Sequence, residues 1–496
     1  MFLVKKAAVG TGYITLMSGI NLGISFVFYI TIARILTPDE IGSISLLLLL
    51  IAAFSTLTSL ALNSAATKYI SEYSGMRRFE KASAAFREGV KLLSAVALPS
   101  FVFMIIISPH LATLMAGVDA PLISMALAAG LILNYTTILG GAFYGLFLYS
   151  SVAIQNIIFA AFGRFSAVAL ANLGLRVYGV ALGILIGALA CLIYSILAFR
   201  GRLQRTRDLF PARSLLSYST PLYVANIIVL AQGWLDLVVL YSITADLPTV
   251  GIYYLVISST AILTLLPNSL ASVLFPTISY KIGESGPESA KEILGTCVHL
   301  SLLIIMPISF ALAATAPTAL TIAYGAKYSI GGTALAVAAL GVIPLTIYTM
   351  LVYTLQAVGS TRPVALAGGV AVSAELVTLL LAVPIFSGVG AALARFVMAS
   401  AGFAVSYIAI HSKLKYSPRG DWRILAYACL AAIPIFVIEQ TISLDVLTKG
   451  LMELVTFVFT TMFLLKILKP FSDTEKSIIE CVLPKNLKRI ALLIIR

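Results

Sequence analysis

Charge is scarce in this chain, and so are the groups from which active sites are usually built. Only 11% of its 496 residues are charged while 60% are hydrophobic, and the mean hydropathy is +1.04. That balance excludes a soluble globular protein of this size. The three histidines (His110, His299, His411) are far apart and lie at or near the ends of apolar stretches, so metal catalysis is not expected. Four cysteines (Cys191, Cys297, Cys429, Cys481) stand without a CxxC pair or a neighbouring histidine, giving neither a disulfide framework nor metal-ligand spacing. No GxxxxGK[ST] occurs, so direct ATP hydrolysis is not encoded. Ser-His-Asp sets and paired loop carboxylates are missing too. The longest polar connections, such as Lys68 to Lys91 and Arg200 to Arg213, leave no room for a nucleotide-binding or glycosyltransferase domain. A large outer loop, which an integral-membrane glycan ligase or polymerase would need for catalytic Arg or His, is also lacking. The chain therefore reads as a non-enzyme, with no catalytic residue and no resident metal.

What fills the sequence instead is apolar length. Fourteen stretches suited to bilayer-spanning helices run over 11–35, 40–69, 90–113, 121–147, 151–173, 178–199, 215–243, 249–277, 293–316, 330–357, 363–385, 389–411, 423–443 and 447–467. The start, Met1 to Lys6 followed by a long apolar run, is too long for a signal peptide and reads as a retained first helix. Cations sort by loop. With the N-terminus inside, Arg34, Arg176, Lys327 and Lys449 fall outside, Arg164 and Arg395 fall within the membrane, and the other 27 of the 33 Lys and Arg fall inside. That asymmetry orients the chain in a cell membrane, multi-pass, with both ends cytoplasmic. The net charge of +13 is spread over separate inner segments, so it reads as an orientation signal and no nucleic-acid partner is expected. The tail from Leu483 to Arg496 reads as a short basic helix held on the inner membrane surface.

A faint internal repeat links two halves. Pro99, Pro109 and Gly117 recur 208 positions later as Pro307, Pro317 and Gly325, and Asn21 and Asn63 recur 205 positions later as Asn226 and Asn268. Both halves begin inside, so the repeat is parallel, a plan of transporters that rock two lobes about a central site. The expected division is 1–213 for a first lobe of spans 1–6, 214–421 for a second of spans 7–12, 422–468 for two appended spans, and 469–496 for the basic tail.

The segment Ala33-Arg34-Ile35-Leu36-Thr37-Pro38-Asp39-Glu40-Ile41-Gly42, with the basic loop near Tyr69 to Gly75 and the fourteen-helix plan, resembles polysaccharide flippases of the multidrug/oligosaccharidyl-lipid/polysaccharide (MOP) exporter superfamily. The resemblance covers nearly the whole chain, although its local motif is weakly specific. It implies an all-α polytopic membrane protein with two six-helix lobes in a V-shaped, alternating-access arrangement plus two extra C-terminal helices. The implied substrate is a polyprenyl-diphosphate-linked oligosaccharide, moved from the cytoplasmic to the outer leaflet. A cation-coupled multidrug exporter of the same superfamily is the alternative, and a non-transporting scaffold for glycan-assembly enzymes is a third. Partners are then the lipid-linked oligosaccharide, membrane lipids and glycan-assembly enzymes, around a monomer. No cofactor is expected beyond a coupling H⁺ or Na⁺.

Candidate site residues follow from the chemistry of such a substrate. A diphosphate needs cations held away from lipid, and an Arg at a helix centre costs about 2.5–3.5 kcal/mol unless it faces a cavity or the bundle interior. Arg164 in span 5 and Arg395 in span 12 meet that description, and Arg suits phosphate through paired hydrogen bonds. Each could equally be neutralised by a carboxylate. Arg34, from the family-like segment, points away from the polar stripe of Ser18, Asn21, Ser25 and Tyr29 on span 1, so an interfacial anchor competes with a substrate role. Lys68 is either a substrate contact or an orienting charge. Asn21, Asn63, Asn226 and Asn268 could meet sugar hydroxyls or bond helix to helix. Asp236 in span 7 and Glu375 in span 11 are the ion-coupling candidates, with a static pair to Arg164 or Arg395 as the competing reading. Glu439 and Glu453, near the outer ends of the appended spans, are expected to be solvated.

Overall fold

The computed structural model describes residues 2–115, 117–202, 206, 208–285, 288–416 and 422–468. The expected basic tail helix lies outside these residues, and every long regular element among them is helical. In chain order the helices are α1 (Phe2–Ile35), α2 (Pro38–Ser59), α3 (Leu62–Gly75), α4 (Phe79–Leu114), α5 (Ala120–Gly145), α6 (Tyr149–Leu170), α7 (Arg176–Phe199), α8 (Ala212–Thr244), α9 (Leu247–Ser285), α10 (Glu288–Ala314), α11 (Ala316–Tyr324), α12 (Gly332–Ala357), α13 (Thr361–Leu414), α14 (Trp422–Thr441) and α15 (Val446–Leu468).

Among the described residues, eleven stretches are long and apolar enough to cross a membrane. Two of these are hairpins. In the first, α6 turns back into α7 through Gly174 and Arg176, both at positive φ. In the second, α13 folds at Ser387 (φ 48) into two arms. With the shorter apolar part of α1, Gly19–Ile35, the count reaches the fourteen crossings read from the sequence. The α6–α7 hairpin closes on small residues. A Cβ at Gly187 would lie 2.6 Å from the Gly163 Cα, and one at Gly183 or Gly179 would strike the backbone near Ala167 or Ala171. Without Cβ atoms the two backbones approach closely, as small residues allow between helices in lipid.

The second span departs from expectation. In place of one helix over 40–69, the chain breaks between α2 and α3 at Leu60 and Ala61, with φ 50 and 52. Neither residue is Gly or Pro, so nothing in the local sequence marks the break. The Ser59 hydroxyl accepts from the Ala61 N–H at 3.3 Å and satisfies one group freed from the helical ladder.

The chain packs as two compact units. The first comprises Met1–Leu235 and Ala245–Tyr254, the second Asp236–Thr244 and Leu255–Arg496, so α8 and α9 contribute to both. Each unit has its own apolar core. In the first, Leu62, Ala66 and Ile70 of α3 meet Ala85, Leu93 and Ala97 of α4 and Ile138 of α5. In the second, Leu274 and Ile278 of α9 meet Leu294 and Val298 of α10, Leu351 and Leu355 of α12, and Ile410 of α13. Large apolar side chains such as Phe103, Ile106, Phe165, Leu381 and Phe459 remain exposed, as hydrocarbon-facing surfaces require.

Within the first unit the family-like segment builds a helix start. Thr37 caps α2, and its N–H and hydroxyl both donate to Glu40, at 2.8 and 3.1 Å. The same carboxylate is gripped by Arg176 from the α6–α7 turn. Five residues after Thr37 comes Gly42, which lies against the first turn of α9. A Cβ at Gly42 would strike the Leu247 carbonyl, and one at Gly251 would lie 2.6 Å from the Gly42 nitrogen and closer still to the Pro38 carbonyl. Asp246 caps α9 as Thr37 caps α2, accepting from the Thr249 N–H at 3.3 Å. Main chain therefore rests on main chain where α2 crosses α9.

Candidate functional site

Two arginines stand inside spans, and their surroundings differ. In the first unit, Arg164 of α6 is half-buried and reaches α1, where its Nη1 donates to the Asn21 side-chain oxygen at 2.7 Å and the Asn21 carbonyl at 3.4 Å. The phenols of Tyr29 and Tyr254 lie within electrostatic reach of the guanidinium. These two hydroxyls are 2.7 Å apart and joined by a hydrogen bond, and Trp234 of α8 stacks in parallel on Tyr254 with ring centroids 6.3 Å apart. No carboxylate pairs with Arg164 among the described residues. The cluster is one cation bonded to an amide with two phenols in electrostatic reach, one of which carries a stacked indole.

In the second unit, Arg395 on the second arm of α13 donates through Nε to Asp236 of α8 at 2.9 Å. Asp236 is almost fully buried. Glu375, on the first arm of α13, is fully buried within electrostatic reach of both. Neither Glu375 oxygen has a hydrogen-bond partner among the described residues. Arg395 also lines a cavity of about 280 Å³ with Asn268, Thr260, Thr264, Thr346 and Thr349. The structure thus brings the two expected coupling residues, Asp236 and Glu375, together with Arg395, an expected substrate contact. Asn268 joins Arg395 through the cavity.

The remaining candidates are scattered. Arg34 is exposed at the end of α1. Asn63 sits in the first turn of α3, and its backbone packs tightly against Gly141 of α5. Asn226 is exposed on α8. Lys68 lies over the rings of Tyr218 and Tyr69, at 4.3 and 4.8 Å, a cation–π cradle beside the core of the first unit. Among the cations expected in outer connections, Arg176 is held by Glu40, Lys449 by Glu439, and Lys327 lies over the Tyr328 ring at 5.1 Å.

Glu439 and Glu453 correct the sequence expectation, for they are not solvated. The Glu439 side chain is 7% exposed and accepts from Lys449 at 2.6 Å and from the Thr318 hydroxyl at 2.7 Å, while Glu453 is buried beside it. Thr318 belongs to α11, whose Ile322 packs onto Gly450 of α15. That short helix covers the ends of α14 and α15 from water. Trp234 and Tyr254 were also missed by sequence reading. The signal available was an aromatic run (Tyr253-Tyr254) and a Trp two residues before Asp236, both inside apolar stretches.

Fourteen crossings among the described residues, with buried charge in both units, define a multi-pass membrane protein. The chain belongs to the polysaccharide biosynthesis protein family, whose model matches residues 7–280, more than half of its length. It is 24% identical over 228 residues to the Haloferax volcanii protein named "Probable low-salt glycan biosynthesis flippase Agl15", a match that covers 45% of this chain. That match spans 48% of the relative, about half of its length. Among solved structures, the fold is like that of lipid II flippase MurJ in an inward closed conformation, with TM-score 0.73 and 14% identity over 91% of this chain and 98% of that one. It is also like an inward-facing multidrug resistance MATE family transporter of the MOP superfamily, with TM-score 0.64 and 15% identity over 82% of this chain and 98% of that one. At such identities the likeness is one of fold.

Proposed function

We propose that this protein is a flippase that carries a polyprenyl-diphosphate-linked oligosaccharide from the cytoplasmic to the outer leaflet by alternating access, with both termini cytoplasmic. The observation that carries this reading is Arg164, a cation inside an apolar helix that bonds the Asn21 amide and has two phenols, rather than an acid, within electrostatic reach. Such an arginine is costly unless something anionic visits it. A diphosphate offers the matching charge and accepts paired hydrogen bonds from a guanidinium. Membership of a polysaccharide biosynthesis family, and the name given to the Haloferax relative, support a glycan-bearing lipid over a free solute. The chain is a transporter rather than an enzyme on this reading.

Coupling is assigned to the second unit. A buried carboxyl without a partner is unfavourable in its charged form, and Glu375 is such a group, next to an Asp236–Arg395 pair that already balances itself. A proton or Na⁺ arriving at Glu375 neutralises it, and its release toward the other side of the membrane supplies the cycle's direction. The test is reconstitution. Vesicles containing the protein should move a fluorescent polyprenyl-diphosphate-linked oligosaccharide between leaflets, and Arg164→Gln should slow that movement. Transport of cationic dyes alone would replace this reading with that of a cation-coupled exporter.

A further inference from the structure

A cavity of the second unit is lined by apolar residues such as Ile257, Val342 and Leu345 and by polar side chains that are mostly threonine. It lies between α9, α12 and the second arm of α13, with Thr260, Thr264 and Asn268 from α9, Thr346 and Thr349 from α12, and Arg395 from α13. Pro267 borders it, and Pro344 stands two residues before Thr346. Prolines inside helices bend them, which keeps space open where apolar helices would otherwise close. All four threonines make the same bond. Each hydroxyl donates to a carbonyl three or four residues earlier in its own helix, at 2.8 Å in every case. A hydroxyl has one proton and two lone pairs, so all four oxygens are left as acceptors.

Charge in the cavity is matched. Arg395 gives its Nε hydrogen to Asp236, and a second carboxyl, Glu375, lies within electrostatic reach. A phosphate would find no uncompensated cation here, and a metal cation would meet a guanidinium in the same lining. The complementary ligand is neutral, donates several hydrogen bonds to hydroxyl oxygens, and accepts from an amide and a guanidinium. A sugar ring has that character. At about 280 Å³ the space falls at the small end of ligand cavities, which run to about 300–1,000 Å³. It therefore suits one ring rather than a whole oligosaccharide.

We propose that this cavity is a monosaccharide subsite that takes one sugar residue of the transported head group. The assignment rests on the flippase reading above and adds a specificity element to it. Thr346 and Thr349 are the residues to change, because Thr→Val keeps shape and removes the acceptor oxygens. Two lipids, fluorescent on the prenyl chain, would be compared in vesicles: polyprenyl diphosphate carrying one N-acetylhexosamine, and the same lipid without sugar. The T346V/T349V double variant should lower the ratio of sugar-bearing to sugar-free transport at least tenfold, and Ser at both positions should restore it. Asn268→Ala should shift the ratio in the same direction. If the double variant loses its fold, as thermal unfolding in detergent would reveal, the single Thr349→Val change is read instead, with a smaller drop in the same ratio. A ratio that stays level, or two rates that fall together in a folded variant, overturns the subsite alone. Wild-type protein that moves neither lipid overturns the flippase reading, and the subsite with it.

Discussion

Arg164 and Arg395 are the same residue type inside apolar helices, yet the two units treat them differently. The first unit gives its arginine an amide partner and two phenols in electrostatic reach. The second locks its arginine to Asp236 and sets a third charged group, Glu375, beside the pair. Depth in a span thus says that a cation must be accommodated, but not how. A guanidinium without an acid can receive an anion from outside. One already paired with an acid holds helices together and sets the electrostatic background for its neighbours.

That contrast can be broken by substitution. The largest expected effect is on stability. Asp236→Ala leaves Arg395 buried without its carboxylate, which should cost about 3–5 kcal/mol in thermal or denaturant unfolding of the detergent-solubilised protein. Adding Arg395→Met should recover most of that loss, and a single-variant cost below about 1 kcal/mol would mean the pair is not structural. Arg164→Gln should do the reverse. Stability should stay within about 1 kcal/mol while transport of the lipid-linked glycan falls roughly ten- to hundredfold, the worth of a hydrogen bond to a charged group. Arg164→Lys should fall between. Equal stability losses at both arginines would erase the distinction. Gly251→Ala offers a comparison outside both sites. Its Cβ meets backbone in α2, so about 1–3 kcal/mol of overpacking is expected in the same unfolding assay. The smallest stability effect belongs to Glu375→Gln, an isosteric neutral change at an unpartnered carboxyl. It should leave stability within about 1 kcal/mol yet abolish the response of transport to an imposed proton or Na⁺ gradient. A variant that still follows the gradient would move coupling elsewhere.

The sequence was most legible where the physics is local. Apolar length placed the spans, and the outer connections at Thr37, Asp119 and Asp246 became helix caps, since Thr and Asp supply the oxygen a helix start requires. Partner choice was not legible. Asn21 and Arg164 are 143 positions apart, and Asp236 and Arg395 are 159 apart, so only helix packing decides which arginine meets an acid. Wheel geometry did place Asn21 and Tyr29 on one stripe of α1, and both lie beside Arg164. The break at Leu60 and Ala61 had no Gly or Pro to announce it. Glu439 and Glu453 were misread for a related reason. A carboxylate near a span's end is normally wet, but here a short helix from another part of the chain lies over it, and Lys449 supplies the counter-charge.

The crossing of α2 with α9 has a consequence for how that seam can change. Side chains can swivel out of the way one by one, but bare backbone cannot, so Gly42 and Gly251 must part in a single concerted slide of whole rods. The same bareness makes the seam brittle to substitution, because the first extra carbon at either position lands on a carbonyl or an amide with nowhere to go.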